Sequence, residues 1–314
     1  MQKILIGIPC YNEEQSIEAC LHSIKANTSS SISYDFEILV VNDGSTDSSK
    51  ILIEELKDSV GVISSVVNNG LSEVFNTLMN YTSKHNFDYL VIFDADGQYP
   101  AEDIIDLLDF TIKNKSDITV GTRNFRNNKV FSRYKNLLQI IGSAIIGKII
   151  GFKISDISSG FRVYSNKASH ILFSSNAFTY TVETLFQAKF SDLKIKQFEL
   201  TEFYETRDSR LFKSNFEYIR RTIAVVFKSL ILYKTKTSLS VLTMLLTIPG
   251  LSLLSRFFIP YFRDGSNPGN TQSLIVGIGY MLMLIFVLLF TLIKIGNIKE
   301  FVFLKRNLFT AKHS

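Results

Sequence analysis

Hydrophobic positions in the first half of this chain come in short runs, each ending in a cluster of polar residues. Ile4 to Pro9 is apolar and β-branched and leads into Asn12-Glu13-Glu14 and an amphipathic stretch. Phe36 to Val41 ends in Asn42-Asp43-Gly44-Ser45, ahead of a helical pattern over 46–56. Val62 to Val67 is a third run, and Tyr89 to Phe93 a fourth, ending in Asp94-Ala95-Asp96 before a helical pattern over 102–113. Runs of this length read as buried strands, and strands alternating with helices predict a doubly wound, mostly parallel α/β sheet with helices on both faces. Ligands of such sheets collect at the carboxyl ends of strands, and the polar clusters fall there.

The pattern then changes. Residues 136–152 are apolar but interrupted by Gly142, Gly147, Lys148 and Gly151; too short and broken to span a bilayer, they predict a buried or interfacial helix. Over 218–233, Ile219, Ile223, Val226, Phe227, Leu230 and Ile231 share one helical face, with Arg220, Arg221, Lys228 and Lys234 elsewhere, the pattern of an amphipathic helix on a membrane surface. Two long apolar runs follow, over 238–259 and 274–293. At about 1.5 Å per residue each covers the roughly 30 Å hydrocarbon layer, so together they predict a transmembrane hairpin. Pro249-Gly250 is expected to kink the first span, and Arg256 lies near its far end, where it can snorkel outward. The expected divisions are a catalytic body over 1–215, a membrane-surface helix over 216–236, the hairpin over 237–296 and a basic cytoplasmic tail over 297–314.

Charge sharpens this division. The net +5 separates into −4 up to residue 215 and +9 beyond it. A basic, apolar C-terminal third beside an acidic body points to anionic lipid headgroups and away from nucleic acid. Basic residues flank the two spans, while the short connection between them carries only Arg263 and Asp264. The positive-inside rule therefore predicts an integral membrane protein with two spans, its body and both termini cytoplasmic. Cys10 and Cys20 form no CxxC pair, which argues against a disulfide framework or zinc site and fits a reducing compartment. The chain opens directly into a strand-like run with no signal-peptide pattern. His22, His85, His170 and His313 have no metal-ligand spacing.

The strongest local chemistry is Asp94-Ala95-Asp96-Gly97-Gln98. Two carboxylates leaving a buried strand into a turn can converge on a hard cation, Mg²⁺ or Mn²⁺, usually shared with substrate phosphates. In isolation such a pair reads as a solvated acidic turn; a second acidic strand end at Asp43 favours the metal. Asp43 could accept hydrogen bonds from a base or ribose, or cap a helix. Tyr11 could stack on a nucleobase or pack.

In chain order, Pro9-x-Tyr11-Asn12-Glu13, Asn42-Asp43-Gly44-Ser45-x-Asp47, Asp94-x-Asp96-x-Gln98-x-Pro100, Gly121-Thr122-Arg123 and Asp156-x-x-Ser159-Gly160-Phe161-Arg162 resemble family 2 glycosyltransferases of GT-A fold. More narrowly they are similar to the dolichol-phosphate mannosyltransferase and bacterial undecaprenyl-phosphate glycosyltransferase subgroup. The resemblance covers about residues 1–215; Gly97 departs from it where leucine is common, and 68–72 lacks a basic residue often present there. It implies that Pro9, Tyr11, Glu13 and Asp43 hold the nucleoside, that Asp94 and Asp96 serve metal and diphosphate, and that Gln98 completes the metal site. The implied reaction is metal-dependent, inverting transfer of one sugar from a UDP- or GDP-linked donor to a membrane polyprenyl phosphate, with Asp96 catalytic.

A lipid-phosphate acceptor needs guanidinium forks. Arg123, Arg126, Arg133, Arg207 and Arg210 lie on predicted loops; Arg123 and Arg133 match arginines of the family, and Arg207 and Arg210 precede the membrane-surface helix. Asp156 is a candidate catalytic group that orients acceptor or metal, or else caps the turn before Gly160. A phosphate monoester needs little base catalysis, because it is already largely dianionic at neutral pH. Processive polysaccharide synthases of the superfamily carry a QxxRW motif, and this chain has no tryptophan. The other readings weighed are a non-catalytic membrane scaffold of the same fold and a nucleotidyltransferase, which would need no hairpin. A homo-oligomer through the hairpin is compatible with the sequence but not required by it.

Overall fold

The computed structural model describes the chain except residues 30, 126–131, 176–178, 205–214, 234, 265–270 and 314. In chain order the elements are β1 (Gln2–Cys10), α1 (Ile17–Thr28), β2 (Tyr34–Asn42), α2 (Ser49–Glu55), β3 (Gly61–Ser64), α3 (Leu71–Lys84), β4 (Tyr89–Ile92) and α4 (Asp103–Lys113). Next come β5 (Ile118–Thr122), α5 (Arg133–Ile150), β6 (Arg162–Ser165), α6 (Asn166–Ile171), α7 (Thr181–Phe190), β7 (Ile195–Glu199), α8 (Asn215–Tyr233), α9 (Thr235–Asp264) and α10 (Thr271–His313). By its internal packing the chain forms two units, one essentially residues 1–226 and the other 227–312.

The first unit is a seven-stranded sheet in the order β3-β2-β1-β4-β6-β5-β7. Alternation along β1 sends Ile4, Ile6 and Ile8 to one face, where they share a core with Ile17, Leu21 and Ile24 of α1 and Ile104, Leu107 and Leu108 of α4. Gly7 faces the other way and admits Leu78 of α3 at close range. Helices therefore cover both faces, as the unbroken apolar strands require, and each fully buried aliphatic side chain contributes roughly 1.5–3 kcal/mol.

Strand direction decides where the polar ends meet. β1, β2, β3 and β4 run parallel, whereas β6 is antiparallel to both β4 and β5. The register sets Arg162 opposite both Ile92 and Val120. The segment entering β6 therefore arrives at the edge where β1, β2, β4 and β5 end, and every motif segment of the first unit converges there.

Three elements are shorter than the hydrophobic pattern predicts. The third run stops pairing at Ser64 and leaves Val66 and Val67 exposed. Past the Ser65 amide, which bonds to Asn42, the backbone turns to deliver the Asn69 and Gly70 amides to Asp43. The helix expected from residue 46 begins at Ser49, and the one expected from 102 begins at Asp103. In the first case Ser45, Thr46 and Asp47 are engaged in loop hydrogen bonds instead.

In the second unit α9 and α10 contain apolar stretches, Ser238–Arg263 and Thr271–Ile293, long enough to cross a bilayer. The two helices approach at small residues: a Cβ on Gly277 would lie 2.9 Å from the Leu254 side chain, and one on Gly250 would meet Met281, the close packing that glycines permit in apolar helix pairs. Arg263 and Asp264, expected in a connection, belong to the last turn of α9, and α9 continues through Pro249 and Pro260. The expected tail over 297–314 is helical to His313 as a continuation of α10.

Gly44 is the tightest backbone point near the polar edge. Its φ is +69°, and a Cβ there would lie 2.5 Å from the carbonyl carbon of Val67. Gly44→Ala is expected to cost about 1–3 kcal/mol, from the left-handed conformation and the unyielding backbone contact together. Thermal unfolding of the detergent-solubilised chain measures it, and an unchanged midpoint would contradict the contact.

Candidate functional site

Two loops form the first wall of the edge and lock each other. At the end of β1 the chain turns through Asn12, whose φ is +58°, a value asparagine tolerates better than most residues. The Asn12 amide donates to Ser45 Oγ at 3.0 Å, and Asn12 Oδ1 accepts from the Thr46 amide at 2.8 Å. The Glu13 amide donates to Ser49 Oγ at 2.7 Å, and Glu14 accepts from the Ser48 amide at 3.0 Å. Burial alone would raise the Asp47 carboxyl, but amide and hydroxyl donors from Ser49 and the Glu14 amide hold it below its ordinary range. Tyr11 is exposed and Pro9 is half-buried at the end of β1.

Asp43 follows β2 at the same edge. It is buried, and its two oxygens accept the amides of Asn69 and Gly70 at 2.8 Å each. These bonds fix the backbone leading into α3.

The centre of the edge is acidic. Asp94 and Asp96 follow β4 through a turn in which Gly97 has a φ of +72° and the Gln98 amide donates to Asp96 Oδ1 at 3.1 Å. Burial, then the charge of Asp96, push the Asp94 carboxyl up to about 7; Arg123 and Arg162 pull it down and Glu13 pushes it further up. Gly160 packs directly on this carboxylate, where a Cβ would meet Asp94 Oδ2. Two buried tyrosines clamp the same glycine: Tyr99 Oη accepts its amide at 3.2 Å, and Tyr180 Oη donates to its carbonyl at 3.2 Å. Cys10 and Cys20 lie buried beneath the site as free thiols, both pushed up to about 12 by burial first and by neighbouring carboxylates second.

Arg123 and Asp156 meet behind this centre. Arg123 Nε donates to Asp156 Oδ2 at 2.6 Å and Nη2 to Oδ1 at 3.1 Å, both side chains being buried. The guanidinium carbon lies 5.9, 5.1 and 5.8 Å from the ring centroids of Tyr99, Phe125 and Phe203. Asp156 also accepts the Ser158 amide at 3.1 Å, which is the turn-capping geometry. Burial would raise its carboxyl, but the charge and hydrogen bonds of Arg123 outweigh that and hold it below the ordinary range, making it a poor proton acceptor. An anion reaching Arg123 would therefore compete with Asp156 for its fork.

Sequence reasoning passed over Arg162, Tyr99 and Tyr180. Arg162 is fully buried and donates to the carbonyls of Ser159, Thr181 and Ile157 at 2.8, 2.9 and 2.9 Å. It knits the segment carrying Gly160 to α7. Its place in the matched motif was the available signal; Tyr180 offered none. Arg133 is exposed at the first turn of α5. Arg126, Arg207 and Arg210 lie outside the described residues.

The donor set at the edge fits a hard divalent cation. Asp94 and Asp96 supply oxygen ligands, and the raised Asp94 carboxyl reports negative charge that a cation would relieve. Among the described residues no group of three or more His, Cys, Asp or Glu converges as a self-sufficient site, so a cation here would draw further ligands from elsewhere, as Mg²⁺ sites commonly draw them from phosphates.

Residues 5–173 match the description of Glycosyl transferase family 2. The dolichol-phosphate mannosyltransferase of Pyrococcus furiosus is 31% identical over 228 residues, covering 69% of this chain and 62% of that protein. The undecaprenyl-phosphate 4-deoxy-4-formamido-L-arabinose transferase of Photorhabdus laumondii is 30% identical over 165 residues, covering 52% of this chain and 49% of that one. The chain thus spans about half to three-fifths of the length of these two relatives. Among solved structures, glucosyl-3-phosphoglycerate synthase of Mycobacterium tuberculosis, crystallised with Mn²⁺, UDP-glucose and phosphoglyceric acid, superposes with a TM-score of 0.56 at 19% identity, covering 73% of this chain and 79% of that one. That likeness establishes the fold.

Two outcomes test the geometry. Asp156→Asn leaves the Arg123 guanidinium buried beside a neutral partner and is expected to cost about 3–5 kcal/mol. In the unsubstituted chain the depressed Asp156 carboxyl makes the pair's contribution full above the unfolded value near 3.9 and progressively lost as pH falls below it; unfolding midpoints of the two proteins should converge toward low pH. Gly160→Ala forces the Asp94 carboxylate aside and is expected to weaken Mn²⁺ affinity by about 10- to 100-fold, read by direct titration of the metal.

Proposed function

The chain belongs to glycosyl transferase family 2, and on that premise we propose that it moves one sugar from a nucleotide-sugar to a membrane polyprenyl phosphate with inversion at the anomeric carbon. The observation that carries the proposal is the acidic pair Asp94 and Asp96 at the ligand-collecting edge of the sheet, in a chain that also holds two apolar helices long enough to cross a bilayer. The named activities of the Pyrococcus and Photorhabdus relatives support the acceptor class.

In this reading Pro9, Tyr11 and Glu13 line the nucleoside pocket, with Asp43 shaping its floor through the 69–70 backbone. Asp94, Asp96 and Gln98 would hold Mg²⁺ or Mn²⁺ together with the donor diphosphate, Asp96 being the catalytic residue of the pair. A divalent cation bound there supplies charge neutralisation for the leaving diphosphate. An oxygen of the lipid phosphate attacks the anomeric carbon as the bond to the diphosphate breaks, and nucleoside diphosphate departs. The acceptor is already largely dianionic at neutral pH, so no strong base is needed, in keeping with the low proton affinity of Asp156. Arg133, Arg207 and Arg210 recruit the acceptor phosphate, and Arg123 joins them by exchanging its fork with Asp156.

We assign residues 1–215 to catalysis, 216–236 to a membrane-surface helix and 237–296 to a hairpin with both termini cytoplasmic. Confinement of enzyme and acceptor to one bilayer raises their effective concentration.

The test is transfer of radiolabel from a panel of UDP- and GDP-sugars to undecaprenyl or dolichyl phosphate in detergent. An organic-extractable, mild-acid-labile product is expected with Mg²⁺ or Mn²⁺, absent with EDTA and absent with Asp96→Ala. Label in polymer or protein instead of lipid would overturn the acceptor assignment.

A further inference from the structure

β7 runs parallel to β5, with Glu199 opposite Thr122, so the chain leaving β7 emerges beside Arg123. Its next five residues are held at three points. The Leu200 amide donates to the Thr122 carbonyl at 3.0 Å, and the Tyr204 amide donates to the Gln98 carbonyl at 2.9 Å. Between them the Thr201 amide and hydroxyl donate to Asp103 Oδ2 at 2.9 and 3.2 Å. Thr201, Glu202 and Tyr204 stand exposed, whereas Phe203 turns inward and is buried.

This short segment touches both charged parts of the site. Phe203 sets its ring 5.8 Å from the Arg123 guanidinium carbon and meets Phe125 edge-on at 6.0 Å, one of three rings around that cation. One residue further on, the Tyr204 amide fixes the Gln98 carbonyl, and the Gln98 amide in turn donates to Asp96 Oδ1 at 3.1 Å. Asp96 is thus reached from Tyr204 through a single intervening residue. A displacement of 200–204 would shift the ring on Arg123 and the turn that orients Asp96 together.

Asp103 holds the middle of the segment. It opens α4, where the helix dipole favours an acidic residue, but that preference is satisfied in water and does not call for burial. Asp103 is 1% exposed, and the residue it accepts from lies 98 positions along the chain. Burial raises its carboxyl, and the Thr201 donors work against that rise. A carboxylate taken out of water to grip an exposed threonine serves the placement of that threonine. We propose that Asp103 is a positioning residue of this site: by holding Thr201 it sets both the Phe203 ring against Arg123 and the Gln98 turn behind Asp96, so that the phosphate-facing and metal-facing groups share one support. The inference rests on the metal and lipid-phosphate reading proposed above.

Full-length Asp103→Ala, Asp103→Asn and Phe203→Leu in detergent are compared with the unsubstituted chain for Mn²⁺ affinity, by direct titration, and for kcat and KM toward undecaprenyl phosphate. Asp103→Ala is expected to weaken Mn²⁺ by about 10-fold and to raise the lipid-phosphate KM. Asp103→Asn, whose amide oxygen can accept the same two bonds, is expected to restore both. Phe203→Leu removes the ring but keeps the Tyr204 amide, so KM should rise by about 2- to 5-fold with Mn²⁺ affinity unchanged. A merely structural support would lower the active fraction, and with it kcat, while KM and Mn²⁺ affinity stayed where they were; that result in Asp103→Ala overturns the inference. Asp103→Asn no better than Asp103→Ala would place the effect in charge and not in position, and overturns it equally. If Asp103→Ala yields no folded protein, Thr201→Val, which removes one of the two donors, is expected to shift the same two quantities by less, and no shift in either is decisive against the proposal. An unsubstituted chain that labels no lipid phosphate removes the acceptor reading itself, and the Mn²⁺ titration then decides alone.

Discussion

The constraint on which this site depends is a cluster of carboxylates drawn together partly away from water. Asp94 and Asp96 stand at the end of β4 with Glu13 near enough to add to their repulsion, and burial raises the Asp94 carboxyl before any neighbour acts. Two buried arginines lie within reach of that field, yet the fork of Arg123 engages Asp156 and Arg162 donates to backbone carbonyls. They moderate the acidic centre from a distance. Repelling carboxylates are costly to hold in a partly dry site unless a cation arrives, so a fold that builds such a centre keeps the arriving charge in view.

The surroundings follow from that constraint. Gly160 is where it is because the Asp94 carboxylate occupies the space of a side chain, and the glycine is held from both sides by Tyr99 and Tyr180. Arg162 then secures the same segment to α7. The acidic pair is thus set by a rigid shell of tyrosine hydroxyls, a glycine peptide and a fully satisfied guanidinium.

Much of this was legible in the sequence, and the division is physical. Buried parallel strands must be apolar throughout, so β1, β2 and β4 stand out as runs, and the residues after them fall at the ligand edge by topology alone. What hydropathy cannot convey is pairing across the chain. The partners of Asp43 are hidden from the sequence because Asn69 and Gly70 are 26 and 27 residues away, and that of Asp156 because Arg123 is 33 residues away. The run through Val67 overshot its strand because the backbone must leave the sheet to reach Asp43. The antiparallel course of β6, which brings Gly160 to Asp94, left no periodic trace. The two apolar spans were legible, but not the helical continuation that places Arg263 and Asp264 in α9. For α5 the composition allowed a buried or an interfacial helix, and only the packing distinguishes its two apolar faces.

On the proposed function, a nucleotide-sugar would arrive from water, whereas a polyprenyl phosphate could present only its headgroup, at the plane of the bilayer. Ser143 of α5 holds the Ile157 amide, Asp156 precedes Ile157 by one residue, and Asp156 holds Arg123 at the end of β5. A buried ion pair is sensitive to displacement, since losing either partner strands the other. On the proposed function, an arginine held by such a pair could exchange its carboxylate for an acceptor phosphate without standing uncompensated, a use of Asp156 that differs from general-base catalysis.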